Sequence, residues 1–169
     1  SFGPWNISEG ADPFGPEVRS VFPHEKKYAL YKPMGFDGVQ FHDDDVVPGI
    51  DDLTPAQITK QCAKVKKMLD NNGLTPEFVA PRLWFAPQTV DGGYTANSAK
   101  DRRYALDRTL RTIDVAREIG CGAIVLWLAR EGSYIRESKN ARLAYQRILE
   151  TINAMLAHDK DIEIWIEPK

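Results

Sequence analysis

The chain has 169 residues, 43% of them hydrophobic and 27% charged, with a formal net charge of −2. This balance excludes a disordered tail, and basic residues scattered among acidic ones exclude a nucleic-acid or anionic-membrane surface. Two cysteines are too few for a disulfide scaffold, and no apolar run approaches the ~18 residues of a membrane span, so a cytoplasmic domain whose partners are small molecules or other subunits is expected.

In chain order, the opening Phe2 to Trp5 reads as a first strand. A short helix over 24–32 follows and is closed by Pro33. Val39 to Phe41 is an apolar run of strand length. Residues 54–72 form a helix with Ile58, Cys62, Val65 and Leu69 on one stripe, Thr54 as cap, Pro55 in the first turn and Gly73 beyond the end. Phe78 to Ala80 gives another strand, then the long connection from Pro81 to Asn97, a length that points to function. A helix over 98–119 carries Leu106, Leu110, Ile113 and Ala116 and stops at Gly120, just before Cys121. The strand Ala123 to Trp127, a helix over 141–157 with Ala144, Ile148, Ile152 and Met155, and the strand Ile162 to Ile166 complete the pattern. Five strands therefore alternate with four helices, which predicts a parallel α/β architecture without linkers or low-complexity tracts.

In such folds chemistry gathers beyond the carboxyl ends of the strands. Those ends read Trp5, then His42 to Asp45, then Trp84, Trp127, and finally Glu167 with Lys169. Aromatic walls around one histidine, several carboxylates and a lysine suit a carbohydrate, whose C–H faces pack on rings while its hydroxyls seek polar groups. Each residue also has a plainer use. A lone histidine is more often a hydrogen-bonded structural residue, DDD is usually a solvated cap or turn, and tryptophans are by default core. Asp45, three residues beyond His42, is close enough to hold one imidazole nitrogen, which raises the value of the pair. Glu167, after the apolar IEIWI, calls for a cation, as a metal ligand or in an ion pair. Lys60, Lys64, Lys66 and Lys67 belong to solvated helix faces.

FHDDD, WLAREG, DGGYTAN leading into DRRYAL, the final IEPK, and the opening FGPW with DPFG together resemble D-xylose isomerase over essentially the whole chain. The resemblance implies a TIM (β/α)8-barrel, with residues 1–169 forming the amino-terminal portion of one domain: about its first five strands and four helices. It implies an aldose–ketose isomerase acting on D-xylose or D-glucose by ring opening and metal-assisted hydride shift. The implied catalytic residues are His42 for ring opening, Asp45 to orient it, and Lys169 for the substrate's carbonyl oxygen. Trp5, Trp84 and Trp127 are implied to wall the sugar, with Phe14 reaching into a neighbouring subunit's site, and hence an oligomer, a homotetramer by resemblance. Glu167 is implied to bind one of two divalent ions (Mg, Mn or Co), with most ligands outside this chain.

The sequence departs from the family where Ala80 replaces a threonine, Trp84 a phenylalanine, Pro81 and Arg82 small or amide residues, and Leu128 with Ala129 a glycine pair. An eight-stranded barrel typically takes ~250 residues, so completion by missing chain or by a complementary barrel half is expected. A metal-dependent endonuclease would require more histidine ligands than His24, His42 and His158 offer. A non-catalytic half-barrel that binds sugars or assembles with a partner is the other alternative.

Overall fold

The computed structural model describes residues 1–7, 10, 15, 16, 18–132 and 135–168. Four parallel strands form one sheet in the order of the chain: β1 (Gly38–His42), β2 (Thr75–Ala80), β3 (Ala123–Trp127) and β4 (Glu163–Glu167). Helix α1 (His24–Tyr31) precedes β1, the one-turn α2 (Asp43–Val46) follows it directly, and α3 (Pro55–Asn72), α4 (Ala99–Glu118) and α5 (Ala141–His158) make the crossovers. Parallel strands in sequence order with helical crossovers form part of a TIM barrel, as expected.

The fifth expected strand, at the amino terminus, is reduced to a single bridge. Phe2 donates to Gly38 O (3.0 Å) and accepts from Gln40 N (3.2 Å), giving one parallel bridge with Val39. The chain then turns at Gly3 into a 3-10 helix, Pro4–Asn6. Proline has no N–H for a ladder and its fixed φ suits a turn, so pairing stops after one residue.

Each long helix forms where the sequence places its signals. Thr54 caps α3 with its N–H on Gln57 Oε1 (2.8 Å), Pro55 occupies the first turn, and Gly73 at φ 62° ends it. Ile58, Cys62, Val65 and Leu69 are buried as predicted, and burial pushes the Cys62 thiol up to about 12, which keeps it inert. Helix α1 has little apolar periodicity, yet its Tyr28 and Tyr31 are fully buried, Tyr28 against Phe41 and Tyr31 against Phe2. Helix α4 packs its expected stripe, Leu106, Leu110, Ile113 and Ala116, against the core and buries a polar strip beside it. Its buried face carries Ala105, Arg108, Thr109, Thr112, Ile113 and Ala116, while Leu106 and Leu110 are only half-buried. The polar members of this face are hydrogen-bonded inside the protein, which permits their burial. Among the described residues no helix is long and apolar enough to cross a membrane.

Candidate active site

Because the strands are parallel, their carboxyl ends share one side of the sheet. His42 pairs with Ala80 and Trp127 with Glu167 in register. A cavity of about 320 Å³ opens there and in the sheet interior, lined by Trp5, His42, Arg82, Trp84, Trp127 and Glu167, among others.

His42 ends β1 and is nearly buried. The Trp5 ring lies 4.3 Å from its imidazole, centroid to centroid, and Trp84 meets it edge-on at 5.1 Å. Trp127 in turn meets Trp84 edge-on at 4.4 Å, so three indoles and one imidazole form a continuous wall. Asp45 lies behind the histidine: its Oδ2 is 3.2 Å from Nδ1 and accepts the His42 backbone N–H at 2.8 Å. Burial pushes the Asp45 carboxyl up, but the His42 hydrogen bond and the charge of Arg82 outweigh it and hold the group below the usual range. Trp84 is 6% exposed, and its indole N–H has no hydrogen-bond partner among the described residues.

The three consecutive aspartates have three different tasks. Asp43, fully buried, accepts from Arg108 Nε (2.7 Å) and Nη2 (2.9 Å), Thr112 Oγ1 (3.1 Å), Arg82 N (3.0 Å) and Asp44 N (2.9 Å). It locks α4 beneath the end of β1. Asp44 Oδ1 lies 3.0 Å from Arg82 Nε. Burial, reinforced by Asp43, pushes the Asp44 carboxyl up to about 6 against the attraction of Arg82. Asp45 Oδ1 accepts from Arg82 Nη2 at 2.9 Å. Every aspartate of the run therefore touches Arg82, a residue the sequence marked only as a departure.

The long connection after β2 is structured: two 3-10 helices, Leu83–Phe85 and Pro87–Thr89, bring Trp84 into the wall. Its glycine-rich segment wraps the Glu131 carboxylate, which accepts from Gly93 N (2.9 Å), Tyr94 N (3.0 Å), Thr95 N (2.8 Å) and Thr95 Oγ1 (2.6 Å). Thus the glutamate of WLAREG ties the loop after β3 to the loop after β2. Gly92, at φ 96°, leaves no space for a side chain, since a Cβ there would lie 3.0 Å from Arg130 O.

Of the residues anticipated from sequence, Trp5, His42, Trp84, Trp127 and Glu167 meet at the cavity, with Asp45 directly behind. Phe14 and Lys169 lie outside the described residues. Trp165 lies within β4, away from the strand exits, and packs on Phe78 at 6.1 Å. The solvated lysines of α3 are exposed as expected. Sequence reasoning did not anticipate the parts played by Arg82, Arg108 and Glu131. Their only sequence signal is a charged residue beside, or on the inward stripe of, an apolar element.

Divalent ions take about six or more oxygen ligands. Among the described residues no three His, Cys, Asp or Glu side chains are grouped to hold a metal, and Glu167 is the one carboxylate on the cavity lining. The described residues do not by themselves fit a divalent ion pair.

The model of the xylose isomerase-like TIM barrel family matches residues 28–169. The chain belongs to the xylose isomerase-like TIM barrel family. Solved structures with the same fold include a 3-keto-D-glucoside 4-epimerase from E. coli, with TM-score 0.62 and 16% identity over 89% of this chain and 53% of that one. A D-psicose 3-epimerase from Clostridium cellulolyticum H10 matches with TM-score 0.59 and 13% identity, over 85% of this chain and 46% of its own. A xylose isomerase-like TIM barrel protein from Mycobacterium smegmatis, solved in complex with magnesium, gives TM-score 0.56 and 14% identity over 98% and 53%. The chain spans about half the length of these structures.

Proposed function

We propose that this member of the xylose isomerase-like family carries the sugar-contacting half of an aldose–ketose isomerase site, with D-xylose as first candidate and D-glucose next. The observation that carries the reading is the wall of Trp5, Trp84 and Trp127 around the His42–Asp45 pair at the carboxyl ends of the strands. Indole faces suit the C–H faces of a sugar and exclude water. The buried Trp84 N–H, without a partner among the described residues, gains an acceptor when a hydroxyl enters.

In this reading His42 contacts the sugar ring oxygen during opening, Asp45 holds the imidazole in place, and Trp5, Trp84 and Trp127 position the sugar. Lys169 would hold the carbonyl oxygen and Phe14 would reach a neighbouring subunit. Epimerisation is the related reaction, and the relatives named as epimerases act on sugars. Glu167 would contribute one carboxylate to a divalent-ion site, the remaining ligands coming from outside this chain. The partner is then the rest of the barrel, within a homo-oligomer such as a tetramer.

Titration with D-xylose, D-glucose and D-fructose, followed by tryptophan fluorescence, tests the reading. A saturable change is expected, abolished by Trp84→Ala in a variant that keeps its circular-dichroism spectrum. No response to any of the three sugars would sink it.

A further inference from the structure

We infer that Arg82 fixes the ring proton of His42 on Nε2, so that the cavity is offered an imidazole N–H donor and not a lone pair. Arg82 is 7% exposed and is gripped along its length by the aspartate run. Asp43 accepts its backbone N–H, Asp44 faces Nε, and Asp45 accepts from Nη2. So held, the same Nη2 lies 2.5 Å from His42 Nδ1.

A guanidinium nitrogen has hydrogens and no available lone pair, so it can only donate. One Nη2 hydrogen goes to Asp45 Oδ1, and the other is directed at His42 Nδ1. Nδ1 must then accept. The competing arrangement, Nδ1–H donating to Asp45 Oδ2, has a longer contact of 3.2 Å. It would also set two N–H donors against each other in a buried place, where repulsion is poorly screened. A neutral imidazole with an accepting Nδ1 carries its hydrogen on Nε2, the nitrogen away from Arg82 and Asp45.

Without Arg82, Asp45 alone would hold Nδ1–H and leave the Nε2 lone pair free to take a proton. With Arg82, Nε2–H donates to an oxygen. On the sugar-site reading, which this consequence rests on, His42 polarises a ring or carbonyl oxygen and does not deprotonate a hydroxyl. Arg82 acts through His42 and is a positioning residue.

The tautomer is read directly from long-range proton–nitrogen correlations of the three imidazoles in the 15N-labelled chain, without sugar or metal, at about pH 8.5, where an ordinary imidazole is neutral. The expected result is the Nε2–H pattern for His42, a switch to Nδ1–H in Arg82→Met, and a return to Nε2–H in Arg82→Lys, which keeps a donor on a long side chain. An Nδ1–H pattern in the unmodified chain, or an unchanged pattern in folded Arg82→Met, overturns the inference. A chain with the Nε2–H pattern that fails the sugar titration overturns the functional reading and leaves the tautomer assignment standing.

Discussion

Removing the Asp43 carboxylate tests whether the site rests on the buried Asp43–Arg108 pair. Asp43 is fully buried and receives five hydrogen bonds, two of them from the Arg108 guanidinium at 2.7 and 2.9 Å. Asp43→Ala deletes those two charge-assisted bonds, each on the order of 1.5–3 kcal/mol. It also leaves a cation only 6% exposed, with Asp51 at 2.7 Å as its nearest remaining partner, the Tyr104 hydroxyl at 3.3 Å and Asp44 at 4.0 Å. Breaking one side of such a pair costs about 3–5 kcal/mol, and the residual Asp51 contact places this case near 3. Against a total stability of roughly 5–15 kcal/mol, that is a large fraction. The assay is urea unfolding at neutral pH followed by circular dichroism, for Asp43→Ala, Arg108→Met and the double variant. Since the double variant leaves neither charge stranded, it should be more stable than the sum of the single losses predicts, by about 1–3 kcal/mol of coupling. A loss below about 1 kcal/mol for Asp43→Ala, or strict additivity, would refute the reasoning.

Gly92→Ala forces a side chain into a left-handed backbone position where its Cβ would meet Arg130 O at 3.0 Å. The expected loss is about 1–3 kcal/mol in the same unfolding assay, and wild-type stability would contradict the left-handed backbone and close approach to Arg130 at Gly92. Asp44, pushed up to about 6, is the pH-sensitive member of the aspartate run. Its folded-state pKa lies above the unfolded value of about 4, so the stability it contributes is fully present below pH 4 and lost as pH rises through 6. Asp44→Asn should therefore stabilise the chain relative to wild type above about pH 7, by roughly 1–2 kcal/mol after allowing for its partial exposure, and give no such gain at pH 4. An equal effect at both pH values, measured by urea unfolding, would contradict the assignment.

The alternation of strands and helices was legible because α3 and α5 carry long apolar stripes with caps, because β3 is a continuous apolar run, and because β1 places Val39 and Phe41 on either side of Gln40. The opening strand was misread because Phe2 to Trp5 is apolar enough, while Pro4 limits its pairing to one bridge. The polar part of the inner face of α4 was not legible because Arg108, Thr109 and Thr112 look like solvent-facing residues. Asp43, 65 positions from Arg108, pairs with Arg108 and Thr112, and the Tyr94 hydroxyl pairs with Thr109, which makes their burial tolerable. The gathering of three tryptophans at the His42 end of the sheet followed from reading strand exits in order. Arg82 was invisible for the opposite reason, since its contacts with Asp43, Asp44, Asp45 and His42 depend on how β1 and β2 pair.

The central claim, that the cavity beside His42 is a sugar site, is tested most directly by saturation-transfer NMR with D-xylose on the unmodified chain and on Trp84→Ala. Strong transfer from the protein to the sugar's C–H protons is expected, lost in the variant, because the indole wall is what those protons pack against. No transfer to the sugar, or equal transfer in both proteins, would contradict it.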